Sequence, residues 1–467
     1  MWWKTLGIVA VVLVLGVGGW YWASQQTGTG TKTSGTGTQE GWVYAGDFPV
    51  SAVDITIFRM PDDRFVAYYV GGTPGVYDFK RPGRAFSTDG LTWTEDADWD
   101  CTDLCLTTTP GKPTLPHRKH LVLNDGRVRT YVKSESDGGI VSYISSDGLT
   151  WEKEDGLRFA LEPAMLKADT LELGQNFTPV YTNDGQVRAY YEVQGEKPAG
   201  FTTGQCCRVL ASAISSDDGL TFTKEDGVRV NAADFDQVLP SGVYNTNDPT
   251  VIATEGGYRI FFGSAGLSMS AFSKDGLTFT FDAANKGYLP LGGTDPSPLI
   301  LPDGRLMVVD GGQQTKGSDS CDATEFPDGC PENYDLSRIV VWDTLPYTVS
   351  ATKWDTMSHQ TTVSVAGPAG KSVTVRAFDT LGNCKQDPAS PVQEPTCNFD
   401  RDFFTVTPAT GQLPFESVVA WSATHAAETG TRENVALLAT EIDGQTSITI
   451  VPCVDVSPAY AANGCKQ

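Results

Sequence analysis

Ser87-Thr88-Asp89-Gly90-Leu91-Thr92-Trp93 is a phrase that this chain repeats. It returns as Ser145-Ser146-Asp147-Gly148-Leu149-Thr150-Trp151 and as Ser273-Lys274-Asp275-Gly276-Leu277-Thr278-Phe279, with a longer copy at Ser215-Ser216-Asp217-Asp218-Gly219-Leu220-Thr221-Phe222. Asp-Gly between two extended runs signals a tight turn, because glycine accepts positive φ and aspartate can bond the turn's own amides. The serine hydroxyl offers a second local cap. The closing Trp or Phe is an apolar plug suited to the gap between neighbouring sheets. A spacing of roughly 60 to 70 residues fits a four-stranded propeller blade and exceeds a helical solenoid unit.

A second series interleaves with the first. Turns at Pro61-Asp62-Asp63, Asn124-Asp125-Gly126, Asn183-Asp184-Gly185, Glu255-Gly256-Gly257 and Pro302-Asp303-Gly304 each precede an alternating strand. Those strands run over 64–70, 127–133, 186–193, 258–263 and 305–310, with period-2 alternation. Five inner hairpins against four repeated phrases predict a five-bladed β-propeller over 42–346. In the last blade 338–343 is the third strand, and 42–45 closes the ring as its outer strand, which removes an exposed sheet edge. The short turns then share one face. The long insertions at 96–116, 194–207 and 311–335 share the other, where function usually resides.

The repeated phrase resembles the Asp-box, or BNR repeat, of sialidases and related propellers. The copy at 215–222 has the Ser-x-Asp-x-Gly-x-Thr-aromatic form. The other three are one residue shorter, a form also found in five-bladed glycosidase-like propellers. Counting back about nine residues from each inner turn places Asp54, His117, Asn176, Asp248 and Asp295 at the entrances of the innermost strands, one per blade. Asp54, Asp248 and Asp295 resemble the entrance aspartates of the furanosidase-type glycoside hydrolases (arabinanases, xylosidases, fructosidases). That resemblance implies an active site with Asp54, Asp248 and Asp295 as catalytic carboxylates. Asn176 departs from it, standing where some members carry a carboxylate, and no blade carries the family's full acidic phrase around a glutamate.

Glycoside hydrolysis needs one carboxylate that attacks or activates water, and one protonated acid beside the leaving oxygen. Glu192 in Tyr190-Tyr191-Glu192 is the candidate acid, since apolar neighbours raise a carboxyl pKa. His117, Asn176, Asp310, Trp99 and Tyr244 are candidate substrate contacts. Against the catalytic reading stands a structural one, in which these acids cap strand starts. A sialidase needs an arginine triad, and Phe58-Arg59-Met60-Pro61 abuts a turn far from the hub. His117 and His120 lie three apart on a strand and so face opposite ways, which argues against a shared metal. No metal and no cofactor is expected.

A net charge of −23 and a pI near 4.5 argue against nucleic acid as a partner. Residues 5–23 are uncharged and mostly apolar, flanked by Trp2 and Trp3 on one side and closed by Trp20, Tyr21 and Trp22 on the other. This predicts a transmembrane helix at 1–23 with Lys4 on the cytoplasmic side; a secreted chain with a cleaved signal is the alternative. Residues 24–41 are a Thr/Gly/Ser-rich tether, reaching on the order of 20 Å. The ten cysteines fall as Cys101/Cys105, Cys206/Cys207, Cys321/Cys330, Cys384/Cys397 and Cys453/Cys465, which in an exported chain suggests disulfides. Local pairing competes with a cross-pairing of the first two couples.

From 347 to 467 the blade phrases stop. Val373 to Asn383 resembles a strand and turn of immunoglobulin-like or fibronectin-like modules, implying a C-terminal β-sandwich that offers a surface for a partner. The sequence therefore predicts an envelope-anchored, all-β protein that engages a neutral glycan at its hub. It either hydrolyses the glycan or binds it without catalysis.

Overall fold

The computed structural model describes residues 39–50, 52–73, 76–99, 101, 106–109, 112–114, 117–166, 173–196, 208–231, 246–264, 267–281, 289, 295–310, 337–352, 354–355, 360–379, 384–385, 396–397, 409–420 and 435–454. Among them, five antiparallel units, each built on a run of four paired strands, form a cycle; the second and third carry one short extra strand, and the fifth continues into the C-terminal strands. Their innermost strands are Ala52–Arg59, Arg118–Val122, Thr178–Tyr181, Asn247–Thr254 and Ser297–Ile300. Each inner strand touches the next, and the fifth touches the first, so the cycle closes.

Closure uses both ends of this region, with residues 42–45 in the outer strand of the fifth blade. Gln39–Asp47 pairs antiparallel with Arg338–Leu345, the third strand of the fifth blade, with Trp42 opposite Trp342. Ser337 adds a clamp, its hydroxyl accepting from the Ala52 amide at 3.0 Å and donating to the Ala52 carbonyl at 3.1 Å.

The four repeated turns are built alike. In the first, Ser87 Oγ donates to Asp89 Oδ1 and accepts from the Gly90 amide, while the Leu91 and Thr92 amides donate to Asp89 Oδ1. The carboxylate satisfies amides that would otherwise point unpaired into the turn. The aromatic that closes each phrase is buried: Trp93 (7% exposed), Trp151 (5%), Phe222 (9%) and Phe279 (8%).

Between blades, a tyrosine on each of three second strands reaches the following turn. Tyr68 donates to the Gly148 carbonyl, Tyr131 to that of Gly219, and Tyr190 to that of Gly276, at 2.7, 3.0 and 2.7 Å. Apolar side chains fill the same gaps. Phe58, Tyr68, Val128 and Trp151 pack between the first and second blades, and Tyr131, Phe177, Tyr191 and Phe222 between the second and third. The repeated turns therefore sit at the far ends of the inner strands, and the strand entrances open on the opposite face.

Beyond the ring, Thr348–Ala351, Gln360–Ala366 and Phe415–Ala420 pair antiparallel. Ala409–Gln412, Ser372–Asp379, Val435–Ile442 and Gln445–Val454 form a second series. Val363, Val365 and Val419 of the first meet Val373, Val375 and Leu438 of the second in one buried cluster. The second series continues the fifth blade, because Trp42 and Val43 also pair with Ile448 and Ser447. The outer edge of that blade is thus covered.

Among the described residues no helix is long and apolar enough to cross a membrane, and the predicted span lies outside them. Of the cysteines, Cys384 stands opposite Cys397 across a short two-stranded pairing, and Cys101 is buried. The couples Cys206/Cys207 and Cys321/Cys330, with Cys105 and Cys465, fall outside the described residues. So do most of the insertion at 194–207 and all of that at 311–335.

One pair of substitutions tests the inter-blade contacts. Gly185 has φ +80° and open space where a Cβ would stand, whereas a Cβ on Gly219 (φ +79°) would lie 2.1 Å from the Tyr131 hydroxyl. Gly185→Ala is expected to cost about 1–2 kcal/mol, the backbone penalty alone. Gly219→Ala should cost about 1–3 kcal/mol more through overpacking, read by denaturant unfolding.

Candidate active site

Two aspartates enter the hub through the same local device. The pairing of the first inner strand with its neighbour shifts between Val53 and Thr56, and that of the fourth shifts between Asn247 and Thr250. Asp54 (φ 52°) and Asp248 (φ 49°) occupy the extra residue of each irregularity in the left-handed region. Aspartate is among the few non-glycine residues that tolerate this conformation, and such a bulge re-aims the side chain it carries. Strain of this kind collects where a side chain must face a site.

A chain of contacts links the entrances of all five blades. Asp295 Oδ2 accepts the Asp54 amide at 3.2 Å. His117 Nδ1 lies 2.7 Å from Asp54 Oδ1 and 3.9 Å from Asp248 Oδ1. The 2.7 Å approach is an ion-pair contact off the line of a well-formed hydrogen bond. Asn176 Nδ2 donates to Asp248 Oδ1 at 2.6 Å and to Glu192 Oε1 at 3.2 Å. Glu192 also accepts the Asp248 amide at 3.2 Å and the Asn176 amide at 3.4 Å.

These groups form two layers. Glu192 (0% exposed), Asn176 (2%) and Asp295 (6%) are enclosed. The side chains of Asp54 (16%), Asp248 (13%) and His117 (35%) reach solvent.

Burial and crowding separate their protonation. Burial pushes the Glu192 carboxyl up to about 7, helped by the Asp248 charge and opposed by hydrogen bonds from Asn176. Burial also drives Asp295 well above the usual carboxyl range, with the Asp248 and Asp54 charges and a hydrogen bond to Asp248 adding to it. Burial acts in the same direction on Asp54, but His117 outweighs it and holds this carboxyl below its usual value. His117 is raised to about 9: burial opposes the charge, and contact with Asp54, then Asp248 and Glu192, prevails.

Asp54, His117 and Asp248 each turn one ligand-type atom into a space where these atoms lie within 4.8 Å of one another. A metal takes neutral imidazole. Contact with Asp54 favours a proton on His117, which an ion at this place would have to displace.

All six hub residues read from the sequence (Asp54, His117, Asn176, Glu192, Asp248 and Asp295) thus converge. Trp99 does not join them; it packs edge-on against Tyr68 at 5.1 Å and under the Arg84 guanidinium. Asp310 pairs in register with Arg338 on the second strand of the fifth blade, and Tyr244 lies outside the described residues. His120 faces away from His117, stacking on Phe58 at 4.6 Å and contacting Thr56 Oγ1. Arg59 pairs with Asp63 at the turn, and Arg118 lies over the Tyr68 ring, so neither points an arginine into the hub.

Lys119 is the hub residue that the entrance count overlooks. It is 4% exposed, and its Nζ donates to Thr250 Oγ1 at 2.7 Å. The period-2 alternation of a strand places 119 on the same side as 117, though it does not set the depth of the ammonium.

No protein-family model and no curated protein matches the sequence. Among solved structures the chain is similar to a thermostable family-43 glycoside hydrolase (14% identity, TM-score 0.38, covering 64% of this chain and 92% of that one). It is also similar to an endo-arabinase from Bacteroides thetaiotaomicron (11%, 0.40, 65% and 96%). A family 117 glycoside hydrolase from Zobellia galactanivorans is a third (13%, 0.38, 66% and 90%).

The Glu192 environment predicts a pH signature. A carboxyl raised in the folded state contributes stability that is fully present below its unfolded value of about 4.5 and is lost as pH rises to about 7. Melting temperature measured against pH should fall through that window, and Glu192→Gln should flatten the fall.

Proposed function

We propose that the hub cleaves a glycosidic bond of a neutral saccharide. The observation that carries this reading is the pair of solvent-reaching carboxyl groups, Asp54 and Asp248, beside a proton-bearing His117 and two enclosed acids. Such a division into charged and protonated groups is what acid–base cleavage of a glycoside requires. Asp54, held ionised by His117, serves as the attacking carboxylate. Three groups retain protons near neutral pH, the enclosed Asp295 and Glu192 and the solvent-reaching His117. Glu192 is enclosed, and its oxygens already receive three N–H groups. Its role in this reading is therefore to hold Asn176 and the Asp248 backbone in place. His117 reaches solvent and delivers the proton to the leaving oxygen.

In the first step a carboxylate oxygen bonds to the anomeric carbon, the C–O bond to the leaving group breaks, and the imidazolium proton passes to the departing oxygen. Water then displaces the carboxylate and returns a proton to the imidazole. Asp248 has a carboxylate oxygen within 4.8 Å of one of Asp54, faces the same space, and in this reading holds the sugar against the attacking oxygen.

The enclosure of Glu192, whose oxygens already receive three N–H groups, supports a second reading, a pocket that binds a sugar without cleaving it. A net charge of −23 disfavours anionic glycans in both readings.

Around this hub we read the rest of the chain as an exported surface protein. Residues 5–23 anchor it. Cys101 is in a disulfide. The C-terminal strands form an accessory β-sandwich with a surface for a partner.

Turnover of aryl-glycosides and neutral oligosaccharides tests the proposal. Asp54→Asn and Asp248→Asn are each expected to lower kcat about 10²–10⁴-fold while saccharide binding persists. Binding by the parent with no turnover of any substrate would leave the second reading.

A further inference from the structure

The hub contains a cation that the proposed chemistry does not use. Inner strands of different blades can be aligned by their partners, because Tyr68, Tyr131 and Tyr190 make the same bond to the following turn. Opposite them stand Thr56, Lys119 and Thr178. In the fourth blade Thr250 stands opposite Phe261 two residues beyond its bulged aspartate, just as Thr56 follows Asp54. One layer of the hub is therefore threonine in three blades and lysine in the second.

The threonines act locally. Thr56 contacts His120 of the next blade, and Thr178 Oγ1 accepts the Val251 amide of the next blade at 3.1 Å. Lys119 goes further. Its bond to Thr250 runs from the second blade to the fourth, past the third, which only a long side chain can span. Thr250 lies on the bulged segment that carries Asp248.

We propose that Lys119 is a positioning residue of this site: a built-in counter-ion that ties down the Asp248 segment and balances the hub carboxylates without touching substrate. The inference rests on the reading of the hub as a catalytic site. The acids whose charges act on the ammonium are Asp248, Asp295, Asp54 and Glu192, contributed by the other four blades. On its own strand, Arg118 and His120 turn into the packing between the first and second blades, and His117 lies two residues away on the hub side. Burial lowers the lysine's own proton affinity and the four acids oppose that, so enclosure and ion pairing are in competition here.

Lys119→Thr tests this, because threonine is the residue that three other blades accept at the same register. Loss of a cation raises the pKa of every neighbouring acid and of His117. Both limbs of the kcat/KM–pH profile should therefore move to higher pH by about one unit. A carbon-13 NMR titration of the hub carboxyl groups should move likewise, and Lys119→Arg should restore both. The titration needs no substrate. Absence of turnover in the parent would remove the proposed function while the titration still decides the role of Lys119. Unmoved carboxyl titrations in Lys119→Thr, or in Lys119→Met if the threonine variant does not fold, would overturn the proposal even if melting temperature dropped.

Discussion

The closed cycle of inner strands is the constraint on which the site depends. Residues that converge at the hub lie far apart in sequence: the Asp54 amide meets Asp295 across 241 positions, and Ser337 meets Ala52 across 285. Such contacts exist only if the fifth blade is completed by the strand that precedes the first. Pairing of Gln39–Asp47 with Arg338–Leu345 meets that condition and leaves the ring without an open edge. The inter-blade tyrosines and buried aromatics then hold each sheet at its place, and the five entrances face one another.

Crowding acids at the hub has an electrostatic cost, and the structure meets it in two ways. Some acids keep their protons, as burial does for Asp295 and Glu192. Others are paired, as His117 does for Asp54. The result is a gradient from neutral acids in the enclosed layer to charged groups at the mouth. Asn176 sits at the boundary, its single amide group donating to both Glu192 and Asp248. A carboxylate in its place would remove both donors and add a further like charge. The asparagine that departs from the expected pattern is thus consistent with the hub around it.

Much of this was legible in the sequence because its signals are local. The Asp-Gly turns, the alternating strands and the serine caps each depend on a few neighbouring residues. Counting from turns located the entrances, since a strand's rise per residue is nearly constant. What counting missed was depth. Glu192 was recognisable as an acid with apolar neighbours, but its enclosure depends on Asn176 and Asp248 from two other strands. Lys119 was passed over because nothing in Arg118-Lys119-His120 distinguishes a buried ammonium from one snorkelling to solvent; only the fourth blade's Thr250 does so. Trp99 had the composition of a sugar platform, yet Tyr68 and Arg84 provide a packing site for it between blades.

The central claim is that Asp54 and Asp248 share one solvent-reaching cavity and that a saccharide occupies it. A crystal structure of the chain soaked with a neutral oligosaccharide tests this most directly. The account predicts a sugar ring at the hub mouth, within hydrogen-bond reach of Asp54, His117 and Asp248. A saccharide bound only elsewhere, or the two aspartates turned to separate cavities, would contradict it.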